Sequence, residues 1–278
     1  MTLLAQLTYP VIDPIALQLG PVAIRWYSLA YLVGLLVGMY LLKVRARQEL
    51  VPYREDDAVD YLTWCTLGVL LGGRLGEVVF YSPELFVEAP QRVLAMWEGG
   101  MSFHGGLLGV LFATWLFTRV RKIPIANFCD ELACAAPVGL GLGRVANFIN
   151  SELWGRPTDS PLGMLVPGYS SVPVHPSQLY EATLEGVVLF TVMNLLRPWA
   201  MKNTGPGFLT GGFLVGYAIA RSVSEVFRTP DAMVGPLTMG QTLSLPMAIV
   251  GVWLLYRGWK AGGEARVASV RGASPAAA

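Results

Sequence analysis

Polar residues interrupt an apolar, glycine-rich segment between Gly139 and Gly155, which reads GLGLGRVANFINSELWG. Arg144 lies inside this segment, and Asn147 and Glu152 follow it. An ionised guanidinium in hydrocarbon is unfavourable by about 3 kcal/mol on insertion scales, so such a residue normally faces a polar cavity. At helical spacing, Arg144 and Asn147 share one face. The segment predicts a site that accepts an anion within a membrane helix. The alternative is a helix end from which Arg144 snorkels to the headgroups.

More polar residues stand near the ends of other apolar stretches: Tyr27, Arg74, Glu77, His104, His175, Gln178, Glu181, Tyr217, Arg221 and Glu225. Tyr217, Arg221 and Glu225 are spaced i, i+4, i+8 and therefore share one helix face. Arg74, Arg144 and Arg221 outnumber Glu77 and Glu225, so the pattern favours a further anion. Arginine pairs with phosphate through two parallel hydrogen bonds, which points to a lipid phosphate.

Several of these residues also have a purely structural interpretation. Arg221 and Glu225 are spaced to form a salt bridge that would only stabilise their helix, and Arg74 and Glu77 are spaced to neutralise each other. Tyr27 is equally an aromatic residue of the membrane interface or a residue of the site.

His104 is one of two histidines in the chain. An unperturbed imidazole has a pKa near 6.5, which suits a general base, although a single histidine at a helix start is often structural. Beside a cavity lined by arginines, the catalytic interpretation is favoured.

Composition identifies the kind of protein that carries these residues. The 278-residue chain is 54% hydrophobic and 14% charged, whereas soluble domains carry about 25% charged residues. We therefore expect an all-α, polytopic integral membrane protein. The net charge of +1 argues against a nucleic-acid partner.

The chain contains seven stretches that are apolar enough for crossings of about 20 residues. They are Trp26–Leu42, Ala58–Phe80, Phe103–Phe117, Cys129–Phe148, Gln178–Leu196, Gly207–Val226 and Gly240–Tyr256. We expect one transmembrane catalytic domain over residues 1–260, with a proline-rich, irregular outer arm at about 151–177. The small, polar residues 261–278 are expected to form a disordered cytoplasmic tail.

Lysine and arginine predict the orientation, because they favour the cytoplasmic side. The connections on one side contain Lys43, Arg45, Arg47, Arg54, Arg119, Arg121, Lys122, Arg197, Lys202, Arg257, Lys260, Arg266 and Arg271. Those on the other side contain only Arg92, Arg156 and Arg228. The N-terminus is therefore expected outside and the C-terminus in the cytoplasm, with the polar residues near the outer leaflet.

Missing motifs narrow the chemistry. The sequence has no Gly-x-Ser-x-Gly nucleophile motif and no metal-ligand spacing among His, Cys and Asp. No paired-aspartate motif on a helix supports a metal-dependent phosphatidyl transferase. A transfer that uses neither a metal nor a cofactor, with arginines polarising a phosphate leaving group, fits what remains.

These motifs resemble those of the bacterial phosphatidylglycerol–prolipoprotein diacylglyceryl transferases, in order from Pro21 to about Tyr256. The strongest is GRVANFINSELWG, Gly143–Gly155. The others are WY at 26–27, GGRLGEVVFY at 72–81, GGMSFHGGLLG at 99–109, HPSQLYE at 175–181 and the series Tyr217, Arg221, Glu225, Phe227, Arg228, Pro230 and Asp231.

The resemblance implies a reaction. The family transfers the diacylglyceryl group of phosphatidylglycerol to the lipobox cysteine of a prolipoprotein, forms a thioether and releases glycerol 1-phosphate. It works in the bacterial inner membrane with seven spans and a site toward the outer leaflet.

The resemblance also implies roles for individual residues. Arg144 and Arg221 would hold the headgroup and His104 would be the base. Asn147, Glu152 and Gly155 would shape the lipid pocket, and Tyr27 and Tyr217 match further positions of importance. Arg74 and Glu225 join the expected lipid-binding set through their charge.

Two other classes remain open from the residues alone. A transporter or flippase for an anionic lipid would also place arginines and broken helices in the membrane. A structural assembly factor would bind lipid without turnover and would tolerate replacement of His104.

Overall fold

The computed structural model describes residues 7–48 and 50–273. The long helices of this part of the chain are α1 (Trp26–Arg45), α2 (Glu55–Tyr81), α4 (Phe103–Arg121), α5 (Ile125–Ile149), α7 (Leu189–Asn203), α8 (Phe208–Phe227) and α9 (Met239–Ala273). Two short helices complete the set, α3 (Leu85–Glu88) and α6 (Ser177–Glu181). Single 3₁₀ turns follow α3 at Pro90–Arg92 and Met96–Glu98.

A π-helical segment, Ala182–Val188, joins α6 to α7, so that Ser177–Asn203 is one continuous helix. Six helices in the described part of the chain are long and apolar enough to cross a membrane: Trp26–Arg45, Glu55–Tyr81, Phe103–Arg121, Ile125–Ile149, Ser177–Asn203 and Met239–Gly272. α8 has 20 residues but is not among them, and it contains Arg221 and Glu225. The expected helical, multi-pass membrane protein is confirmed.

The chain forms two compact units, where the sequence predicted one domain. The first contains the residues up to Gly38 together with Cys129–Arg266. The second contains Met39–Phe128 and the residues after Arg266.

Small residues let helices approach closely within each unit. In the first unit, a Cβ on Gly186 of the π-helical segment would lie 2.6 Å from Gly141 Cα of α5. In the second unit, a Cβ on Gly72 of α2 would lie 2.5 Å from Gly105 O of α4. Gly105 is therefore a packing glycine. An aromatic core that includes Tyr61, Phe117 and Phe128 lies nearby in the same unit.

The predicted irregular arm is partly a small sheet. Strands β4 (Met164–Val166) and β5 (Ser170–Val174) pair antiparallel, and β1 (Leu7–Thr8) adds to β4 in parallel. This sheet encloses a core of Tyr9, Phe148, Trp154, Met164, Val166 and Val174. The pairing of β1 with β4 has no local sequence signal, because the two strands are more than 150 residues apart.

Two hairpins complete the strands. β2 (Ile15–Leu19) and β3 (Val22–Arg25) pair antiparallel around Gly20, whose φ is +58°. β6 (Met233–Val234) pairs with β7 (Leu237–Thr238) immediately before α9.

The predicted disordered tail is wrong for residues 261–273. α9 breaks at Gly262, where φ is +70°, and helix resumes as far as Ala273. Arg266 is fully buried and donates hydrogen bonds to Thr204 O and Asp130 Oδ2. A buried guanidinium with carboxylate and carbonyl acceptors stabilises this last helix, which composition alone did not indicate. Residues 274–278 lie outside the described part of the chain.

Candidate active site

Three elements of the first unit bring buried charges together. α5 carries Arg144, the helix that begins at Ser177 carries Glu181 and Glu185, and α8 with the residue after it carries Arg221, Glu225 and Arg228. We call these six residues the Arg144 cluster. The π-helical segment presents Glu185, and π-helical turns are frequent at functional sites.

Glu181 is the centre of the cluster. Its Oε1 accepts from Arg221 Nη1 at 2.5 Å and from Arg228 Nη1 at 3.2 Å. Its Oε2 lies 3.2 Å from Arg144 Nη1. Three guanidinium groups thus surround one fully buried carboxylate.

Glu185 and Glu225 complete the charge balance. Arg144 Nε donates to Glu185 Oε2 at 3.1 Å, and Arg221 Nη1 lies 3.9 Å from Glu185 Oε1. Arg221 Nη2 also pairs with Glu225. The three arginines therefore face three glutamates.

The expected salt bridge of Arg221 with Glu225 is present, but the expectation that the arginines outnumber their carboxylate partners is wrong for Arg144 and Arg221. The sequence pattern places Glu181 among the polar residues near the ends of apolar stretches, and it does not single out Glu185. The available signal was a pair of carboxylates four residues apart in an apolar stretch, where an ionised carboxylate is itself unfavourable.

The cluster is not fully satisfied. Within the described residues, Glu181 Oε2 and Glu185 Oε1 have no hydrogen-bond donor, although both lie within ion-pair distance of an arginine. The Arg144 and Arg221 side chains are 18% and 11% exposed, whereas those of Glu181 and Glu185 are 0% exposed. The accessible face of the cluster is therefore cationic and suits an anion.

The residues that follow Arg144 form a turn that closes on itself. Asn147 Nδ2 donates to Glu152 Oε1 at 2.6 Å. Gln178 Nε2 donates to the Glu152 carbonyl, and Ser177 Oγ donates to Leu153 O at 2.8 Å. Asn147 and Glu152 thus join the end of α5 to the start of the helix that carries Glu181. Asn147 is buried and Glu152 is exposed.

Gly155 is required by backbone contact. Its N–H donates to His175 O at 2.9 Å. A Cβ here would lie 2.5 Å from Phe227 O and 2.7 Å from His175 Cβ. Gly155 thus lets the arm pack against the end of α8, directly before Arg228.

Two tyrosines predicted for the site lie near the cluster. The ring centroids of Tyr27 and Tyr31 are 5.3 Å apart, and Tyr31 lies within range of the Arg144 charge. Tyr217 lies within range of the charges of Arg144 and Glu185. Tyr31 was missed, although it follows Tyr27 by one helical turn.

Arg74, in the second unit, is hydrogen-bonded to backbone carbonyl groups. Its Nε, Nη1 and Nη2 donate to Val93 O, Gly99 O and Arg92 O at 3.1, 2.6 and 2.8 Å. It forms no ion pair with Glu77 among the described residues, so the predicted pair is wrong. Because all three nitrogens already have acceptors, we expect Arg74 to hold this loop and not to bind lipid.

His104 lies in the second unit, as the second residue of α4, and its side chain is exposed. Ser102 caps this helix by accepting from Gly105 N at 3.2 Å. The catalytic role of His104 stays a prediction.

Among residues 7–48 and 50–273, no group of three or more His, Cys, Asp and Glu side chains is arranged to hold a metal ion.

Apolar helices around a largely buried cluster of arginines and glutamates define a multi-pass membrane protein with a cationic face. Residues 14–257 match the family model described as prolipoprotein diacylglyceryl transferase. The chain belongs to the prolipoprotein diacylglyceryl transferase family.

Similar proteins align with this sequence over nearly the whole chain. The phosphatidylglycerol–prolipoprotein diacylglyceryl transferases of Rhodospirillum rubrum and Gluconacetobacter diazotrophicus are both 50% identical to it, over 90% and 91% of this chain and 93% and 92% of their own. That of Nitrobacter winogradskyi is 45% identical, over 93% of this chain and 92% of its own. The resemblance described from the motifs, and the transferase class with it, is confirmed.

Proposed function

We propose that the protein transfers the diacylglyceryl group of phosphatidylglycerol to the lipobox cysteine of prolipoproteins, the first step of lipoprotein maturation. Family membership and the names of the similar proteins support this reaction. The observation that carries it is the convergence of Arg144 and Arg221, from two different helices, on Glu181 at an accessible cationic face.

The two arginines would hold the phosphate of the lipid headgroup. Guanidinium groups bind phosphate through charge-assisted hydrogen bonds, and their partner carboxylates hold them in place before lipid arrives. Glutamate partners balance the buried charge when the site is empty, which avoids an uncompensated guanidinium in the membrane.

The reaction would form one bond and break one. The cysteine sulfur attacks the glycerol carbon that bears the phosphate, so a C–S bond forms and the C–O bond to phosphate breaks. The thiol proton passes to a base, and glycerol 1-phosphate leaves with the electron pair. Arg144 and Arg221 would stabilise charge that grows on this leaving group, which is preorganised electrostatic catalysis.

A thiol has a pKa near 8.5 and must become a thiolate to attack well. We propose His104 as the base for this proton, by family resemblance. Tyr27 and Tyr217 would line the headgroup site beside Arg144. Asn147, Glu152 and Gly155 would maintain the turn that joins α5 to the arm, and Glu225 would orient Arg221.

An apolar groove of about 370 Å³ supports a lipid substrate. It lies between α8 and α9, and its walls include Ile219, Val223 and Leu245. Ser222, which also lines it, is adjacent in sequence to Arg221. Acyl chains would lie along such a surface while the headgroup meets the arginines.

We further propose seven spans, with α8 as the additional one, in the bacterial inner membrane. The N-terminus would be outside and the C-terminus in the cytoplasm, which is supported by the distribution of lysine and arginine. The Arg144 cluster and the arm would then face the outer leaflet.

A transfer assay tests the proposal. Purified protein in phosphatidylglycerol micelles is mixed with a lipobox peptide, without added metal, and the peptide mass is measured. We expect a diacylglyceryl mass gain on cysteine and release of glycerol phosphate. Arg144→Ala should abolish the gain, and His104→Ala should lower it severely.

Phosphatidylglycerol binding without any mass gain in the wild type would contradict the transferase and favour a lipid transporter. Full activity of Arg144→Ala would contradict the role of the arginines. A serine in place of the peptide cysteine is the matched control, because a hydroxyl is a much weaker nucleophile than a thiol at neutral pH.

A further inference from the structure

The orientation of Arg144 depends on Glu185. Arg144 Nε donates to Glu185 Oε2 at 3.1 Å, and within the described residues this is the only hydrogen bond of the Arg144 side chain. The other close carboxylate, Glu181, lies 3.2 Å from Nη1, but its Oε2 has no partner in hydrogen-bond geometry. Glu181 attracts Arg144 by charge, whereas Glu185 fixes its direction.

The remaining edge of the guanidinium is the one that suits a phosphate. A planar guanidinium presents Nη1 and Nη2 as a fork for two acceptor oxygens. The contact with Glu185 uses Nε and leaves this fork without a hydrogen bond among the described residues. The Arg144 side chain is 18% exposed and that of Glu185 is 0% exposed, so an incoming anion meets the arginine and not the carboxylate.

The backbone around Glu185 is held firmly. Glu185 lies in the π-helical segment, and Gly186, the next residue, packs against Gly141 of α5. A Cβ on Gly186 would lie 2.6 Å from Gly141 Cα. Gly141 precedes Arg144 by three residues, about one helical turn. Donor and acceptor are therefore fixed on two backbones in direct contact.

We propose that Glu185 is a positioning residue for lipid binding: it holds the Arg144 guanidinium so that the Nη1–Nη2 edge meets the phosphate diester of the lipid. This inference rests on the proposed function. Glu185 does not itself touch the lipid, and its contribution passes through the hydrogen bond to Arg144 Nε.

Three substitutions separate the geometry from the charge. Glu185→Ala removes the acceptor, and Glu185→Asp keeps the charge but draws the acceptor away from Nε. Both should raise KM for phosphatidylglycerol about tenfold or more and also lower kcat, because a charge-assisted hydrogen bond contributes about 10- to 100-fold. Glu185→Gln keeps an oxygen acceptor and should stay within about fivefold of wild-type kcat/KM.

Glu131→Gln is the matched control. It neutralises another buried glutamate of the first unit, whose partner is Arg197, and Glu131 precedes Arg144 on the same helix. We expect less folded protein in this variant but an unchanged KM, since loss of folded enzyme does not alter the affinity of the molecules that remain.

The outcomes are distinct. If the wild-type protein catalyses transfer and both Glu185→Ala and Glu185→Asp have the same KM as the wild type, this inference is wrong and the proposed function stands. A Glu185→Gln variant as impaired as Glu185→Ala would overturn it too, because charge and not position would then matter. Absence of transfer by the wild-type protein would overturn the proposed function and the inference with it.

Discussion

Buried arginines and carboxylates occur at both ends of α5, in two arrangements that differ in exposure and in how fully the carboxylates are hydrogen-bonded. At one end, Asp130 accepts from Gly207 N, Thr210 N, Thr210 Oγ and Arg266 Nη2. Neither Asp130 nor Arg266 is exposed. At the other end, about 20 Å along the helix, the Arg144 cluster is partly accessible and leaves two carboxylate oxygens without donors.

The difference fits a structural role for the Asp130–Arg266 pair, although Arg266 Nη1 has no hydrogen-bond partner among the described residues, and the proposed binding role for the Arg144 cluster. Buried polar groups that serve structure are normally satisfied by hydrogen bonds, and Asp130 follows that rule. Glu131 does as well, since its two oxygens accept from Arg197 Nε and Nη2. Incomplete pairing beside an accessible guanidinium is what a site needs if it is to exchange a protein partner for a substrate anion.

The largest effect is expected when an arginine of the accessible cluster is removed. Arg221→Ala should lower transfer by about 10²- to 10³-fold, because the leaving phosphate would lose a preorganised donor. Arg197→Ala is the counterpart at the other end of α5 and should keep its activity per folded molecule. Peptide mass gain normalised to folded protein measures both. Comparable losses in the two variants would show that the two ends do not differ in function.

Substitutions at the Asp130 end of α5 should change the stability of the protein and not its substrate affinity. Asp130→Ala leaves Arg266 buried without its carboxylate, and breaking a buried pair in this way is destabilising by about 3–5 kcal/mol. Thermal unfolding in detergent should show a lower midpoint, with an unchanged KM for phosphatidylglycerol. Asp130→Asn keeps one acceptor oxygen, which can serve either Gly207 N or Thr210 N but not both, and should lose less than Asp130→Ala. A midpoint unchanged in Asp130→Ala would mean that the Arg266 contact does not hold the last helix.

The sequence predicts the helices and the buried arginines of this comparison, but not the carboxylates that pair with those arginines. The helices were predictable because apolar runs of about 20 residues have few other interpretations. Arg144 and Arg221 stood out because a guanidinium in such a run is costly. The carboxylate partners of these arginines could not be predicted in this way, because the pairing of Arg144 with Glu185 depends on how two helices are rotated relative to each other.

The arm and the last helix show the same limit. β1 joins β4 across the whole length of α1 to α5, and no local pattern records that pairing. Gly262 and the small residues after it resemble a linker, whereas the buried Arg266 contacts with Asp130 and Thr204 stabilise that stretch as a helix. Local composition predicted the elements, whereas long-range contacts determined which of them form the site.

A substitution where the arm packs against α8 should have an intermediate effect on stability and transfer. Gly155→Ala places a methyl group 2.5 Å from Phe227 O, so the backbone before Arg228 must shift. Such overpacking is destabilising by about 1–3 kcal/mol. Transfer should also fall, because Arg228 holds Glu181. Gly38→Ala is the control, since a Cβ there has no atom within 4 Å. Wild-type unfolding and activity in Gly155→Ala would rule out the close contact.

The smallest effect concerns His175, which connects the same junction by its side chain. Its Nδ1 lies 3.2 Å from Tyr180 Oη, and its ring meets the Phe227 ring edge-on at 5.2 Å between centroids. Partial burial lowers the pKa of His175 below its usual value near 6.5. The unfolded chain therefore binds a proton more readily than the folded one, so stability should decrease as pH falls from about 7 through 6.5.

His175→Gln should make the unfolding midpoint less dependent on pH between about 7 and 6.5. The contrast in function and stability between the two ends of α5 should remain in this variant. An equal pH dependence in both proteins would assign the titration to another group and leave the junction stabilised by packing alone.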